Sequence, residues 1–276
     1  MKVSLIISFN SEISLLIENI NILSKVMEKI VIVDNNSVNK KDLIEIENSY
    51  SKVKIIFLES NFGIAKATNV GFDYLSEISD WILVLDQDSI LDIKDIDVLY
   101  SFVDRDNFNS LGMITPRYLE RNELHDHFGD ENISEWQFVD YPIASGSLVS
   151  VKAWKFVGGY DDDLFIDRVD DDFDLRIRNV GYLIIQANHA TINHAIGQIK
   201  VVHFFNKNIK VYNHNAFRKY YQSRNNIIFA KKHGGLLKAW VRNIVLLCKT
   251  VLFEQEKMTK FKSIFKGIKD GIKYSM

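Results

Sequence analysis

Asp80-Trp81-Ile82-Leu83-Val84-Leu85-Asp86-Gln87-Asp88-Ser89 is an apolar run that stops on two carboxylates one residue apart. Trp81 to Leu85 have the length and composition of a strand buried on both faces, as the central strands of parallel sheets are. The carboxylates then emerge at the strand's carboxyl end, where open α/β sheets bind ligands. Asp86 and Asp88 offer hard oxygen ligands for Mg²⁺ or Mn²⁺, a cation that keeps positions open for phosphate oxygens. An acidic strand-to-loop turn with Ser89 as a cap would use the same residues without any ligand. The surrounding segments have to decide between the two.

Working outward, Val3–Ser8, Lys29–Val33 and Lys54–Leu58 read as three more strands, and Glu12–Met27 as a helix with apolar residues at helical spacing. The second strand ends at Asp34-Asn-Asn-Ser37. The third leads into a small-residue loop, Asn61-Phe-Gly-Ile-Ala-Lys-Ala-Thr-Asn-Val-Gly71, and a helix through Leu75. Strands alternating with helices predict an α/β fold with a mainly parallel central sheet and right-handed crossovers. Ser8-Phe-Asn-Ser11 stands where a dinucleotide fingerprint would follow the first strand, and the Walker pattern is missing, so neither a dehydrogenase nor a P-loop enzyme is supported. A nucleotide would have to be held by side chains at strand ends. Asp34 can accept from a base or ribose there, or simply form its turn.

The chain has 276 residues, 47% of them hydrophobic and 25% charged, enough for one large α/β domain plus an appendage. Its single cysteine, Cys248, excludes an internal disulfide framework and a cysteine-cluster zinc site, and suits a reducing compartment. The opening Met1–Asn10 reads as a core strand rather than a secretory signal, so a cytoplasmic protein is expected. The net charge of -2 hides an asymmetry: residues 236–276 hold nine Lys/Arg against three Asp/Glu, a charge of +6 that leaves the body acidic. An acidic body without an aromatic and basic stripe excludes nucleic acid as a partner. In the tail, Trp240, Ile244, Leu247, Val251, Phe261, Phe265, Ile268 and Ile272 recur at helical spacing, which predicts two amphipathic helices. Such a tail either lies on an anionic membrane surface, placing the protein on the inner face of the membrane, or docks on the body as a solvated hairpin.

In this order, Ser8-Phe-Asn10, Asp34-Asn-Asn-Ser37, Asn61-x-Gly63-x-Ala65-Lys66-Ala67-x-Asn69-x-Gly71 and Asp86-Gln-Asp-Ser89 resemble the inverting, GT-A-fold glycosyltransferases of family 2, and more narrowly its bacterial rhamnosyltransferases. Ala144-Ser-Gly-Ser147, Trp154-x-x-Val-Gly-Gly-Tyr-Asp161, Leu164 to Arg176, His194-Ala-Ile-Gly197 and Arg218-Lys-Tyr-Tyr-x-x-Arg-Asn225 extend it to about residue 230. The resemblance implies a GT-A domain over 1–230, with a nucleotide-sugar half (1–110) and an acceptor half (111–230), and a basic helical tail over 231–276. It places the donor on Ser8, Asn10, Asp34, Asn61, Gly63, Lys66, Asn69, Asp86 and Gln87, its diphosphate on Arg218, Tyr221 and Arg224, and the acceptor on Ser145, Gly146, Trp154 and Asp171. The metal falls to Asp86, Asp88 and His194. The implied activity is transfer of L-rhamnose from dTDP-β-L-rhamnose to a lipid-linked cell-surface glycan. A UDP- or GDP-sugar donor and a non-catalytic assembly subunit of the same fold are the alternatives, and a homo-oligomer is compatible with either.

Asp167-Arg-Val-Asp-Asp-Asp-Phe-Asp174 crowds five carboxylates into eight residues. Like charges disfavour one another's ionisation and can lift one toward a value useful for proton abstraction. If 171–179 is helical, Phe173, Ile177 and Val180 point inward. The resemblance to family 2 implies Asp172 first as the base and Asp170 second, while a helix N-terminus would by itself favour acids.

Overall fold

The computed structural model describes residues 1–103, 105, 110–119, 133–194, 200–204 and 207–275. They form two compact units, one from Met1–Asp162 with Asp170–Ala195, the other from Asp163–Val169 with Ile196–Met276.

In the first unit, β1 (Val3–Ser8), β2 (Lys29–Asp34), β3 (Val53–Phe57) and β4 (Trp81–Asp86) alternate with α1 (Ile13–Leu23), α2 (Lys40–Ser49) and α3 (Ile64–Leu75). The strands lie side by side as β3-β2-β1-β4, every pair parallel. β1 is buried along its whole length and β4 at all but its ends, as the unbroken apolar runs require. In-register pairing sets Ser8 beside Asp34 and Ile7 beside Asp86, so three strand ends deliver their polar residues to one edge. The helix expected over Glu12–Met27 stops at Leu23.

Beyond β4 the sheet becomes mixed. It continues through β5 (Ser89–Ile90), α4 (Ile93–Tyr100), β6 (Leu111–Leu119), β7 (Trp136–Phe138), β8 (Ser147–Ser150), α5 (Val151–Val157), α6 (Val169–Asn179) and β9 (Leu183–His194). β8 runs antiparallel between β4 and β6, β9 lies parallel to β6, and β5 and β7 pair antiparallel with β9. α6 buries Phe173 and Ile177 as expected, but Val180, expected inward, lies past the helix end and is 46% exposed.

The second unit holds the antiparallel pair β10 (Lys200–Phe204) and β11 (Lys207–Val211), then α7 (Ala216–His233), α8 (Leu236–Phe253) and α9 (Lys257–Lys273). The tail is therefore two helices, as its spacing predicts. α9 docks on α7 through two glycines: a Cβ on Gly267 would stand 2.3 Å from the Tyr220 carbonyl, and one on Gly271 2.8 Å from that of Arg224. The turn after α8 is pinned by buried Glu254, which accepts from Lys219 Nζ (2.5 Å) and Lys260 Nζ (3.1 Å). Expected with the 1–230 domain, α7 instead packs with α8 and α9.

Candidate active site

The turn after β4 is fastened on both sides. The Gln87 side-chain oxygen accepts from the Phe9 backbone N–H (2.7 Å) and Ser11 Oγ (2.8 Å), tying the turn to the loop after β1. Ser145 Oγ accepts from the Asp86 N–H (2.9 Å) and donates to Ser89 Oγ (2.8 Å), while Asn19 Nδ2 donates to the Ser89 carbonyl. Gly146 lets this support come close: its N–H reaches the Val84 carbonyl at 2.7 Å, its φ is +83°, and a Cβ there would stand 2.5 Å from Ile192 Cδ1. Ser145 and Gly146, expected to meet the acceptor, thus brace the carboxylate turn from behind.

Asp88 is half-buried, and its carboxylate has no hydrogen-bond or ion-pair partner among the described residues. An unneutralised carboxylate two residues beyond Asp86, on a turn held this firmly, fits a hard divalent cation completed by phosphate oxygens and water. Among the described residues no three His, Cys, Asp or Glu side chains converge as a closed metal cage. His194 ends β9 opposite Ser89, but its side chain lies outside the described residues.

Several residues expected to hold the donor are occupied in building its platform. Asp34 is fully buried and accepts from the Ser37 N–H and hydroxyl, which builds the turn after β2. Ser8, also fully buried, is hydrogen-bonded to Ser11 (2.6 Å). Asn10 is exposed and links the loops after β1 and β2, donating to Ser37 Oγ and accepting from the Val38 N–H. Asn61 accepts from the Gly63 N–H, and the Gly63 carbonyl accepts from Asn35, a residue sequence reasoning passed over. Lys66 pairs with Asp162 at 3.0 Å.

Asn69 shows the same diversion most fully. Its Oδ1 accepts from Trp154 Nε1 (3.0 Å) and the Tyr160 N–H (2.8 Å), and its Nδ2 donates to the Tyr160 carbonyl (2.8 Å) and Asp162 Oδ1 (2.7 Å). Trp154, expected at the acceptor, is buried against Phe72 with ring centroids 5.2 Å apart. Both residues latch α3 to the segment after α5.

Burial sorts the acids of α6. Asp172 is 1% exposed, and its Oδ2 accepts from Arg176 Nε at 2.7 Å, the guanidinium being held in turn by the Val157 carbonyl. That makes Asp172 one half of a buried ion pair within α6. Asp174 is completely buried, and neither of its oxygens has a hydrogen-bond partner among the described residues. Burial pushes its pKa well above the carboxylate range, the charges of Asp170 and Asp171 add to the shift, and Arg178 opposes it. Asp170 and Asp171 remain half-buried. The Tyr118 hydroxyl, which donates to the Ile143 and Ser145 carbonyls, has its pKa raised first by burial and further by Asp170 and Asp86. The Asp86 turn and Asp170 thus flank one phenol that no sequence motif marked.

Within the second unit, Arg218 pairs with Asp167 at 3.3 Å, Arg224 donates to the Asp163 carbonyl, and Tyr221 stacks on Phe165 at 4.6 Å. Asn225, fully buried, donates to the carbonyls of Leu164, Ile166 and Asp167. It holds a segment in which Phe165, Asp167 and Arg168 all have positive φ, a strained conformation concentrated where α6 begins. The Arg218–Asn225 motif thus shapes the lead into the acid helix. A fully buried amide must find hydrogen-bond partners, and Asn225 finds three carbonyls.

Comparison with known proteins agrees with this geometry. The profile of glycosyl transferase family 2 matches residues 4–147. The dTDP-rhamnosyl transferase RfbF of Shigella flexneri is 30% identical over 295 residues, covering 98% of this chain and 95% of the relative. The mannosyltransferase PcManGT of Pyrobaculum calidifontis, solved with GDP-Man and Mn²⁺, superposes with a TM-score of 0.61 at 12% identity, over 100% of this chain and 76% of that one. Residues 1–349 of TarS from S. aureus give 0.57 at 15%, over 100% and 73%. At those identities the structures establish the GT-A fold alone, whereas the profile and the near-full-length relative place this chain in glycosyl transferase family 2.

Proposed function

We propose that the protein is a metal-dependent inverting rhamnosyltransferase that takes L-rhamnose from dTDP-β-L-rhamnose and passes it to a lipid-linked saccharide at a membrane surface. The similarity to RfbF along nearly the whole of both chains carries the donor assignment. The braced Asp86–Asp88 turn with Asp170 nearby supports the chemistry. Mg²⁺ or Mn²⁺ on Asp86 and Asp88 would supply positive charge to the departing diphosphate. Asp170 accepts the proton of the acceptor hydroxyl, whose oxygen forms the new bond to the anomeric carbon from the face opposite the diphosphate. The old carbon–oxygen bond breaks as dTDP leaves, and the configuration inverts. Arg218, Tyr221 and Arg224 stay in the proposal as diphosphate ligands on the strength of their motif.

Turnover of dTDP-L-rhamnose, UDP-GlcNAc and GDP-mannose, measured with Mn²⁺, with Mg²⁺ and with EDTA, tests this. Release of dTDP that depends on the cation is the expected result. Activity with the UDP or GDP sugar and none with dTDP-rhamnose would overturn the donor assignment, and full activity in EDTA the metal.

A further inference from the structure

We infer that α8 is an inside-out amphipathic helix whose outer face seats in an anionic lipid bilayer. The residues it buries are Ala239, Asn243 and Thr250, small or polar. Asn243 is the fastener, accepting from Asn226 Nδ2 at 2.9 Å and donating to the Ser223 carbonyl at 3.1 Å. The apolar residues point the other way. Leu237 (79%), Val241 (52%) and Ile244 (56%) are exposed, with Trp240, Val245 and Leu252 beside them. Their spacing of three and four residues makes one continuous stripe along the helix.

Lys238, Arg242 and Lys249 form a row along one border of that stripe, and α8 contains no acidic residue. This is the arrangement of an interfacial helix: apolar side chains enter the acyl boundary while basic stems along the edge reach the head groups. Charge selects the occupant. A second copy of α8 would bring a wholly cationic border with it, whereas anionic head groups complement that border. α9 docks on α7 through Gly267 and Gly271. No helix among the described residues is long and apolar enough to cross a membrane, so α8 lies along the surface. The inference deepens the membrane part of the function proposed above, and rests on that reading only for what the contact is for.

The test uses the full chain, flotation with vesicles of phosphatidylcholine alone or with one quarter phosphatidylglycerol, and two double variants. Wild type binds the anionic vesicles, more weakly as salt rises. V241Q/I244Q lowers vesicle affinity about tenfold or more, and K238Q/K249Q lowers affinity for anionic vesicles while leaving that for neutral ones. Both pairs lie on the outer face or its border, so dTDP-rhamnose turnover in solution stays at the wild-type level. Absence of wild-type binding to anionic vesicles, or equal binding by V241Q/I244Q, overturns the inference. So does a wild-type dimer that V241Q/I244Q converts to monomer, which would show the stripe seating a second copy. Because the readout is lipid binding, its failure leaves the donor and base assignments standing.

Discussion

Replacing Asp170 and Asp172 by asparagine, one at a time, should separate catalysis from stability within a single helical turn. In D172N the 2.7 Å pair with Arg176 is lost while the guanidinium stays fixed on the Val157 carbonyl. Removing one partner of a buried ion pair costs about 3–5 kcal/mol. Arg176 retains 23% exposure, so water recovers part of that and about 2 kcal/mol is expected. For a chain of this size the melting temperature should fall by roughly 5 °C. D170N alters a half-buried side chain and takes away the group proposed to receive the acceptor's proton. Its kcat should drop by about 10²- to 10⁴-fold, with affinity for dTDP in the presence of Mn²⁺ within about twofold of wild type. Thermal unfolding, calorimetric titration with dTDP and initial rates on an acceptor analogue give the three readouts. A D172N enzyme that melts normally and turns over poorly, beside a D170N enzyme near wild-type rate, would refute the assignment made from burial.

The remaining predictions address the metal, the platform and the buried acid. D88A should lower the rate by about 10²-fold or more, because it removes the carboxylate best placed for the cation, and excess Mn²⁺ should recover part of the loss. N69A orphans the Trp154 Nε1–H and the Tyr160 N–H, both on buried residues, so about 2–3 kcal/mol of stability should be lost in denaturant unfolding. A direct donor ligand would instead show an unchanged midpoint and weakened dTDP binding. Asp174 has its folded pKa raised above the unfolded value, so its contribution is fully present below the ordinary carboxylate range and is lost as pH rises toward the raised value. D174N should therefore gain stability relative to wild type between about pH 4 and neutrality, and unfolding curves whose difference does not change with pH would contradict a protonated Asp174.

The strands were legible because an unbroken apolar run has few places to go: Trp81 to Leu85 had to be central, and whatever followed had to emerge at the sheet's carboxyl edge. What the sequence hid is the division of labour among short polar side chains at that edge. Asp34, Ser8, Asn69 and Ser145 are motif residues, yet each completes the hydrogen bonding of a neighbouring loop, with partners as far as 93 residues away in the case of Asn69 and Asp162. A ligand platform made of loops needs such fasteners, because buried backbone groups left unpaired cost more than most single contacts return. A sequence signature records fasteners and ligands alike.

Periodicity has a parallel blind spot. It placed the tail in two helices but said nothing about which face turns inward, and in α8 the small and polar face won because Asn243 is bonded to Asn226 and Ser223. It also left five acids in eight residues without an order, since spacing along a helix does not tell how much water each carboxylate keeps. Depth supplies the order: Asp174 loses its water, which pushes its pKa up, Asp172 is buried against Arg176, and Asp170 stays half-buried. A general base must be ionised in the resting enzyme and still reach its substrate. Of these three, Asp170 alone keeps part of its surface in water.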